Sequence, residues 1–172
     1  QRAVHPLSQQ RVALPRGAFP QAPPQAEAPM SAFVAEAATG ANRIADLFCG
    51  VGTFTFALAA IAPVHAADGD AAAVQALVSA LAGAPGLHGV TAEARDLTRR
   101  PMLAQELKKT DVAVFDPPRA GAVEQTAELA RSTVTQVIGV SCAPATFARD
   151  ARVLIDAGFS LERVLPLDQF LW

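Results

Sequence analysis

The stretch Asp46–Phe54, DLFCGVGTF, decides the fold. Residues 43–48 are a short apolar run of strand length, and 53–61 are an apolar segment of helical length. Between them, Gly50 and Gly52 reach backbone conformations closed to other residues and let a ligand approach the main chain. The helix that follows presents free N–H groups beside that turn. A dinucleotide fingerprint needs a third glycine near position 55, where Thr55 stands. That argues against a nicotinamide cofactor and for another adenosine-bearing one. A tight strand-to-helix turn that binds nothing is the plain alternative.

Outward from this junction, strands and helices alternate. The pattern predicts further strands over 63–67, 89–94, 111–115, 136–141 and 160–166. It predicts helices over 71–82, 102–108, 123–132 and 146–157, the last closed by Gly158. Continuous apolar strands separated by helices imply a parallel sheet covered on both faces. Upstream, a proline-rich stretch reads as a short extended piece and then a loop. A helix over 26–39 follows, with Met30, Phe33, Val34 and Ala37 on one face and Gly40 as its stop. Residues 1–40 are therefore an N-terminal extended segment and helix leading into a core of 41–172.

In an open α/β sheet the ligand site lies beyond the carboxyl ends of the strands. The residues with chemistry to offer fall there. Asp46, Gly50 and Gly52 belong to the first junction and are candidates to bind the cofactor. Asp68, in HAADGD (His65–Asp70), ends the second strand, where a carboxylate can accept from both hydroxyls of a ribose. Asp70 suits a helix N-cap. Asp96, in ARDL (Ala94–Leu97), follows the third strand and is a candidate for an adenine amino group, or else a solvated loop acid. DPPRAGA (Asp116–Ala122) follows the fourth. Its two prolines stiffen the loop and hold Asp116 at the sheet edge, while Arg119 suits a phosphate or a base edge. SCAPATFARD (Ser141–Asp150) follows the fifth. Cys142 precedes Pro144 and a helix, with Arg149 one to two turns in, a setting that favours a reactive thiolate. A lone cysteine more often serves packing; the neighbouring motifs turn this one toward a nucleophile.

The bulk numbers bound the rest. A chain of 172 residues, 51% hydrophobic and 17% charged, suits one globular domain. Its two cysteines, Cys49 and Cys142, form no CxxC pair, and His5, His65 and His88 are scattered. No metal site and no Ser–His–Asp arrangement is expected. No apolar run reaches the ~18 residues of a membrane span, and no leader is visible, so the expected compartment is the cytoplasm. A net charge of -2 is unusual for a stand-alone nucleic-acid binder. RNA would then be held by a local patch or by domains outside this chain. Arg99–Arg100 and Lys108–Lys109 read as solvated faces.

Taken together and in this order, DLFCGVGTF, DPPRAGA and SCAPATFARD resemble the RNA uracil-5 methyltransferase family, and its 23S rRNA branch in particular. The resemblance covers roughly residues 11–172. A glycine-rich first motif is common to most methyltransferases, but DPPRAGA followed by an SCxP cysteine is specific. The closing LPLDQFLW (165–172) is similar as well. The resemblance implies the Rossmann-like class I S-adenosylmethionine-dependent methyltransferase fold. That fold is a mostly parallel sheet with helices on both faces, its final strand missing from this chain. It implies S-adenosyl-L-methionine as cofactor and RNA as partner, rRNA rather than tRNA. Cys142 matches the nucleophile, and Asp116 and Arg119 would orient the uracil or the cofactor. Gln21 in FPQ, Phe48, Thr53, Asp68 and Asp96 match cofactor contacts. Pro23 and Ala143 stand where the family has Asn. The family's general base is a Glu just past the equivalent of 170–172, outside this chain. Its N-terminal RNA-binding domain and cluster-binding cysteines are also outside it.

The chemistry so implied begins with addition of the Cys142 thiolate to uracil carbon 6, which makes carbon 5 nucleophilic. After methylation a base removes the carbon 5 proton and Cys142 is eliminated. The target base must leave any stack to react. One alternative is methylation of an exocyclic amine, but such enzymes place an aromatic where Arg119 stands. Another is a cofactor-binding fragment without activity. The 172-residue chain alone is expected to bind S-adenosylmethionine in calorimetry and to turn over poorly without that Glu; robust multiple turnover would contradict this.

Overall fold

The computed structural model describes residues 4–7, 10–13 and 24–167, with side chains from 27 onward. Strands β1 (Val4–Leu7) and β2 (Gln10–Ala13) form an antiparallel pair, and helix α1 (Pro24–Ala37) follows. The main sheet holds β3 (Ile44–Leu47), β4 (Val64–Asp68), β5 (Val90–Ala94), β6 (Val112–Phe115) and β7 (Gln136–Gly139). They lie in the order β5-β4-β3-β6-β7, all parallel. The helices between them are α2 (Thr55–Ala59), α3 (Ala71–Leu81), α4 (Val123–Arg131) and α5 (Pro144–Asp156).

Alternation along the strands divides the core in two. Ile44, Val64, Ala66, Val112 and Val114 pack with Val34 of α1, Phe56 and Leu58 of α2 and Leu77 of α3. Ala45, Leu47, Ala67, Ala113 and Phe115 pack with Leu129 of α4 and Leu154 of α5 on the other face. This is the doubly wound sheet expected from the apolar strands. From β3 the chain first steps outward to β4 and β5, then returns to place β6 on the opposite side of β3. That reversal opens a crevice above the carboxyl ends of β3 and β6.

Two predicted elements are absent. No helix covers 102–108, where residues 104–109 form turns; side chains of α4 and Arg95 tie this segment down instead. Met102 N–H donates to Gln125 Oε1 at 2.8 Å and Ala104 N–H to Glu128 Oε2 at 2.9 Å. Glu106 is fixed by both Arg95 Nη atoms at 2.8 Å. Residues 160–166 form no strand either. Arg163 pairs with Glu36 at 2.9 Å and lies 4.6 Å over the Phe33 ring, so this segment follows α1 and does not extend the sheet. A cavity of about 750 Å³ lies beside β7, bounded by α1, α5 and that segment. Smaller shifts occur at element ends: β7 stops at Gly139, short of the predicted Ser141, and α2 starts at Thr55, two residues later than expected.

One carboxyl is buried at the junction itself. Asp46, on β3, is 1% exposed and accepts a 2.5 Å hydrogen bond from the Thr55 hydroxyl at the start of α2. The residue that displaces the third glycine thus ties strand to helix across the turn. Burial pushes the Asp46 carboxyl up to about 7; the Thr55 bond opposes this, and the charges of Asp116 and Asp68 add to it. A carboxyl whose folded-state pKa is raised contributes most below its ordinary value near 3.8, and that stability is lost as pH rises through about 7. Asp46→Asn keeps an acceptor for Thr55 and removes the charge. Its stability relative to the parent should therefore rise between about pH 4 and pH 7, by on the order of 4 kcal/mol at most. Urea unfolding at the two pH values measures this, and a pH-independent difference would contradict it.

Candidate active site

The turn after β3 is built on the end of β4. Leu47 pairs with Ala67 on one side and Phe115 on the other. Beyond it Phe48 has φ 63°, a left-handed conformation rare for an aromatic residue. It is held there by the N–H groups of Phe48 and Cys49, which both donate to Ala67 O at 2.8 and 3.1 Å. Gly50 follows at φ 54°, and its N–H donates to Asp68 Oδ2 at 2.8 Å. A side chain at Gly50 would meet no atom within 4 Å, so the turn is open above it. Gly52, at φ 99°, has no such freedom: a Cβ there would come 2.6 Å from Leu77 Cδ1. Thr53 is half-buried just beyond.

Asp68 links this turn to the next one. Its second oxygen accepts from Asp70 N–H at 2.7 Å, and Asp70 in turn caps α3 through Ala72 and Ala73. A carboxylate has about four acceptor sites, so the half-buried Asp68 keeps capacity for a diol beside the open Gly50. This donor and acceptor set fits an adenosine ribose. Asp96 lies next to it: Arg95 N–H donates to Asp68 O at 2.7 Å, and the Asp96 Cα would be 3.7 Å from a Cβ on Gly69. The Asp96 carboxylate holds its own turn, accepting from the Thr98 hydroxyl at 2.6 Å and from Thr98 N–H at 3.1 Å. The Thr98 hydroxyl is the main reason its pKa falls below the usual carboxylate range.

The other side of the crevice carries DPPRAGA and SCAPATFARD. Asp116 N–H donates to Leu47 O at 3.2 Å and Val140 N–H to Phe115 O at 2.9 Å, which brings both loops to the level of the glycine turn. Asp116 is half-buried and Arg119 exposed. Cys142 is exposed, while Cys49 is buried and its thiol pushed up, chiefly by burial. The Ser141 hydroxyl accepts from Ala143 N–H at 3.1 Å and so shapes the loop around Cys142.

Arg149, read from the sequence as an aid to the thiolate, is spent elsewhere. Its Nη2 donates to Ala120 O at 3.0 Å and its Nε to Asp150 Oδ1 at 2.9 Å. Asp150 accepts from Ala122 N–H at 2.9 Å, and the Thr146 hydroxyl reaches Arg119 O at 3.1 Å. Thr146 and Asp150 had drawn no role from the sequence. Their spacing with Arg149, which puts all three on one face of α5, is the signal that would have found them. Gln21 lies outside the described residues, as does Pro23. Among the described residues no cluster of His, Cys, Asp or Glu has the make-up to hold a metal, and no helix is long and apolar enough to cross a membrane.

A protein of Caulobacter vibrioides named as an RNA methyltransferase is 62% identical over 166 residues, 96% of this chain and 40% of its own length. A 23S rRNA (uracil(1939)-C(5))-methyltransferase of Chromohalobacter salexigens is 40% identical over 132 residues, 76% of this chain and 27% of its own length. The chain thus spans about two fifths or less of these relatives. Among solved structures, a Pyrococcus abyssi tRNA (uracil-54, C5)-methyltransferase in complex with S-adenosyl-L-homocysteine superposes with a TM-score of 0.72 at 24% identity. The match covers 89% of this chain and 38% of that one, and it shows a shared fold. The sequence model of one family matches residues 10–172, and the chain belongs to that family, the tRNA (uracil-5-)-methyltransferases.

Proposed function

We propose that this chain is the S-adenosylmethionine-binding and nucleophile-bearing part of an enzyme that methylates carbon 5 of a uridine in RNA. The observation that carries this reading is the convergence of three loops on one crevice. The glycine turn, the DPPRAGA loop and the exposed Cys142 all stand beyond the carboxyl ends of neighbouring strands.

Asp68 would hold the ribose, with Phe48, Gly50, Gly52 and Thr53 forming the turn beside it and Asp96 closing the adenine side. Asp46 acts from beneath, through Thr55. When bound, S-adenosylmethionine supplies the electrophilic methyl that an activated carbon 5 takes. Cys142 adds through its sulfur to carbon 6 and so loads electron density onto carbon 5. Once a base has taken the carbon 5 proton, the electron pair of that C–H bond expels Cys142. Asp116 is positioned to orient a base or the cofactor, and the exposed Arg119 suits RNA phosphate or a base edge. The Chromohalobacter relative supports ribosomal RNA as the substrate.

Two results are expected. Asp68→Asn should weaken S-adenosylmethionine binding by roughly tenfold to a hundredfold in calorimetry, since it disturbs charge-assisted bonds to a diol; an affinity within twofold of the parent would contradict the ribose assignment. Mass spectrometry of ribosomal RNA from a deletion strain should show one 5-methyluridine lost. The full-length gene should restore it and its Cys142→Ala variant should not. Intact 5-methyluridine in the deletion strain would contradict the substrate, and rescue by the variant would contradict the nucleophile.

A further inference from the structure

We infer that Thr146, Arg149 and Asp150 are positioning residues that lock the DPPRAGA loop to the Cys142 loop, fixing Arg119 and Cys142 relative to each other. The inference rests on the proposed role of Cys142. Its starting point is the Thr146 hydroxyl. That oxygen lies 3.1 Å from Arg119 O and 3.1 Å from Ala143 O, the carbonyl next to Cys142. One hydroxyl therefore stands between the backbones of the two loops. A turn further along α5, Arg149 donates to Ala120 O and Asp150 accepts from Ala122 N–H. Three side-chain bridges from one face thus hold Arg119, Ala120 and Ala122 to a helix that begins two residues after Cys142.

The loop is shaped to receive this face. Gly121 has φ 78°, and a Cβ on it would lie 2.3 Å from Arg149 Nη2 and 2.6 Å from Asp150 Oδ2. A glycine is therefore required for the Arg149–Asp150 pair to reach the loop at all. Asp150 is 3% exposed, and Arg149 Nη2 lies 2.8 Å from its Oδ1, so the buried carboxylate carries its own counter-charge. The guanidinium fork reaches a carbonyl and a carboxylate at once, which an ammonium does not reproduce. Misplacing reacting groups by about 1 Å can cost up to ~100-fold in rate. A rigid link between nucleophile and substrate-orienting loop is thus of catalytic consequence even though none of the three side chains is assigned to touch substrate.

The test uses the full-length protein, radiolabelled S-adenosylmethionine and unmodified 23S rRNA transcript. Thr146→Val keeps shape and loses the hydroxyl; Thr146→Ser restores it. Thr146→Val should lower kcat by roughly tenfold to a hundredfold, with KM for S-adenosylmethionine and the thermal midpoint essentially unchanged. Thr146→Ser should return kcat to near the parent value. Arg149→Lys should likewise lower kcat while leaving KM for S-adenosylmethionine unchanged. If both variants keep the parent kcat, or if kcat and the thermal midpoint fall together while KM rises and serine fails to rescue, the positioning role is overturned. Failure of the parent protein to methylate carbon 5 would instead overturn the functional reading, and this inference with it.

Discussion

The register of the parallel ladder is the constraint on which everything else depends. Ala67, Leu47, Phe115 and Gly139 stand level across four strands, so the loops that follow them emerge side by side. A one-residue slip in any pair would exchange the side chains fitted to its two core faces and misalign its loop. The buried alternation of Ile44, Ala45 and Leu47 between the two core clusters is what prevents that slip.

Above the level strand ends, the loops are cross-braced rather than independent. Asp68 holds Gly50, Ala67 O holds Phe48 and Cys49, and Leu47 O holds Asp116. The face of α5 formed by Thr146, Arg149 and Asp150 holds the DPPRAGA loop. Such bracing places Cys142 and the glycine turn before any ligand arrives, which is how a site avoids reorganisation cost during reaction. The buried Asp46 belongs to the same scheme. It is an energetic burden in the core, offset in part by its bond to Thr55, and that bond fixes the turn.

Much of this was legible in the sequence because strong local signals coincide with the global fold. Continuous apolar runs marked the parallel strands, and Gly50 and Gly52 marked a turn whose positive φ values the structure displays. Asp70 read correctly as a helix cap. The misses have a common cause. Residues 102–108 carry a helical pattern, but Gln125 and Glu128, distant in sequence, anchor the segment to α4. Residues 160–166 carry a strand pattern, but Arg163 binds Glu36 and Phe33 instead. Helical spacing brings Arg149 toward Cys142 but does not reveal that Gly121 puts a carbonyl of the DPPRAGA loop within its reach. Long-range partners decide such cases, and a local pattern does not contain them.

The central claim is that Cys142 forms a bond to uracil. The most direct measurement is peptide mapping of the full-length protein after incubation with 5-fluorouracil-substituted RNA and S-adenosylmethionine, because fluorine at carbon 5 blocks the proton removal that releases the thiol. The account predicts a stable RNA adduct on Cys142 and none on the buried Cys49. An adduct on any other residue, or methyl transfer to RNA with no covalent species formed, would contradict it.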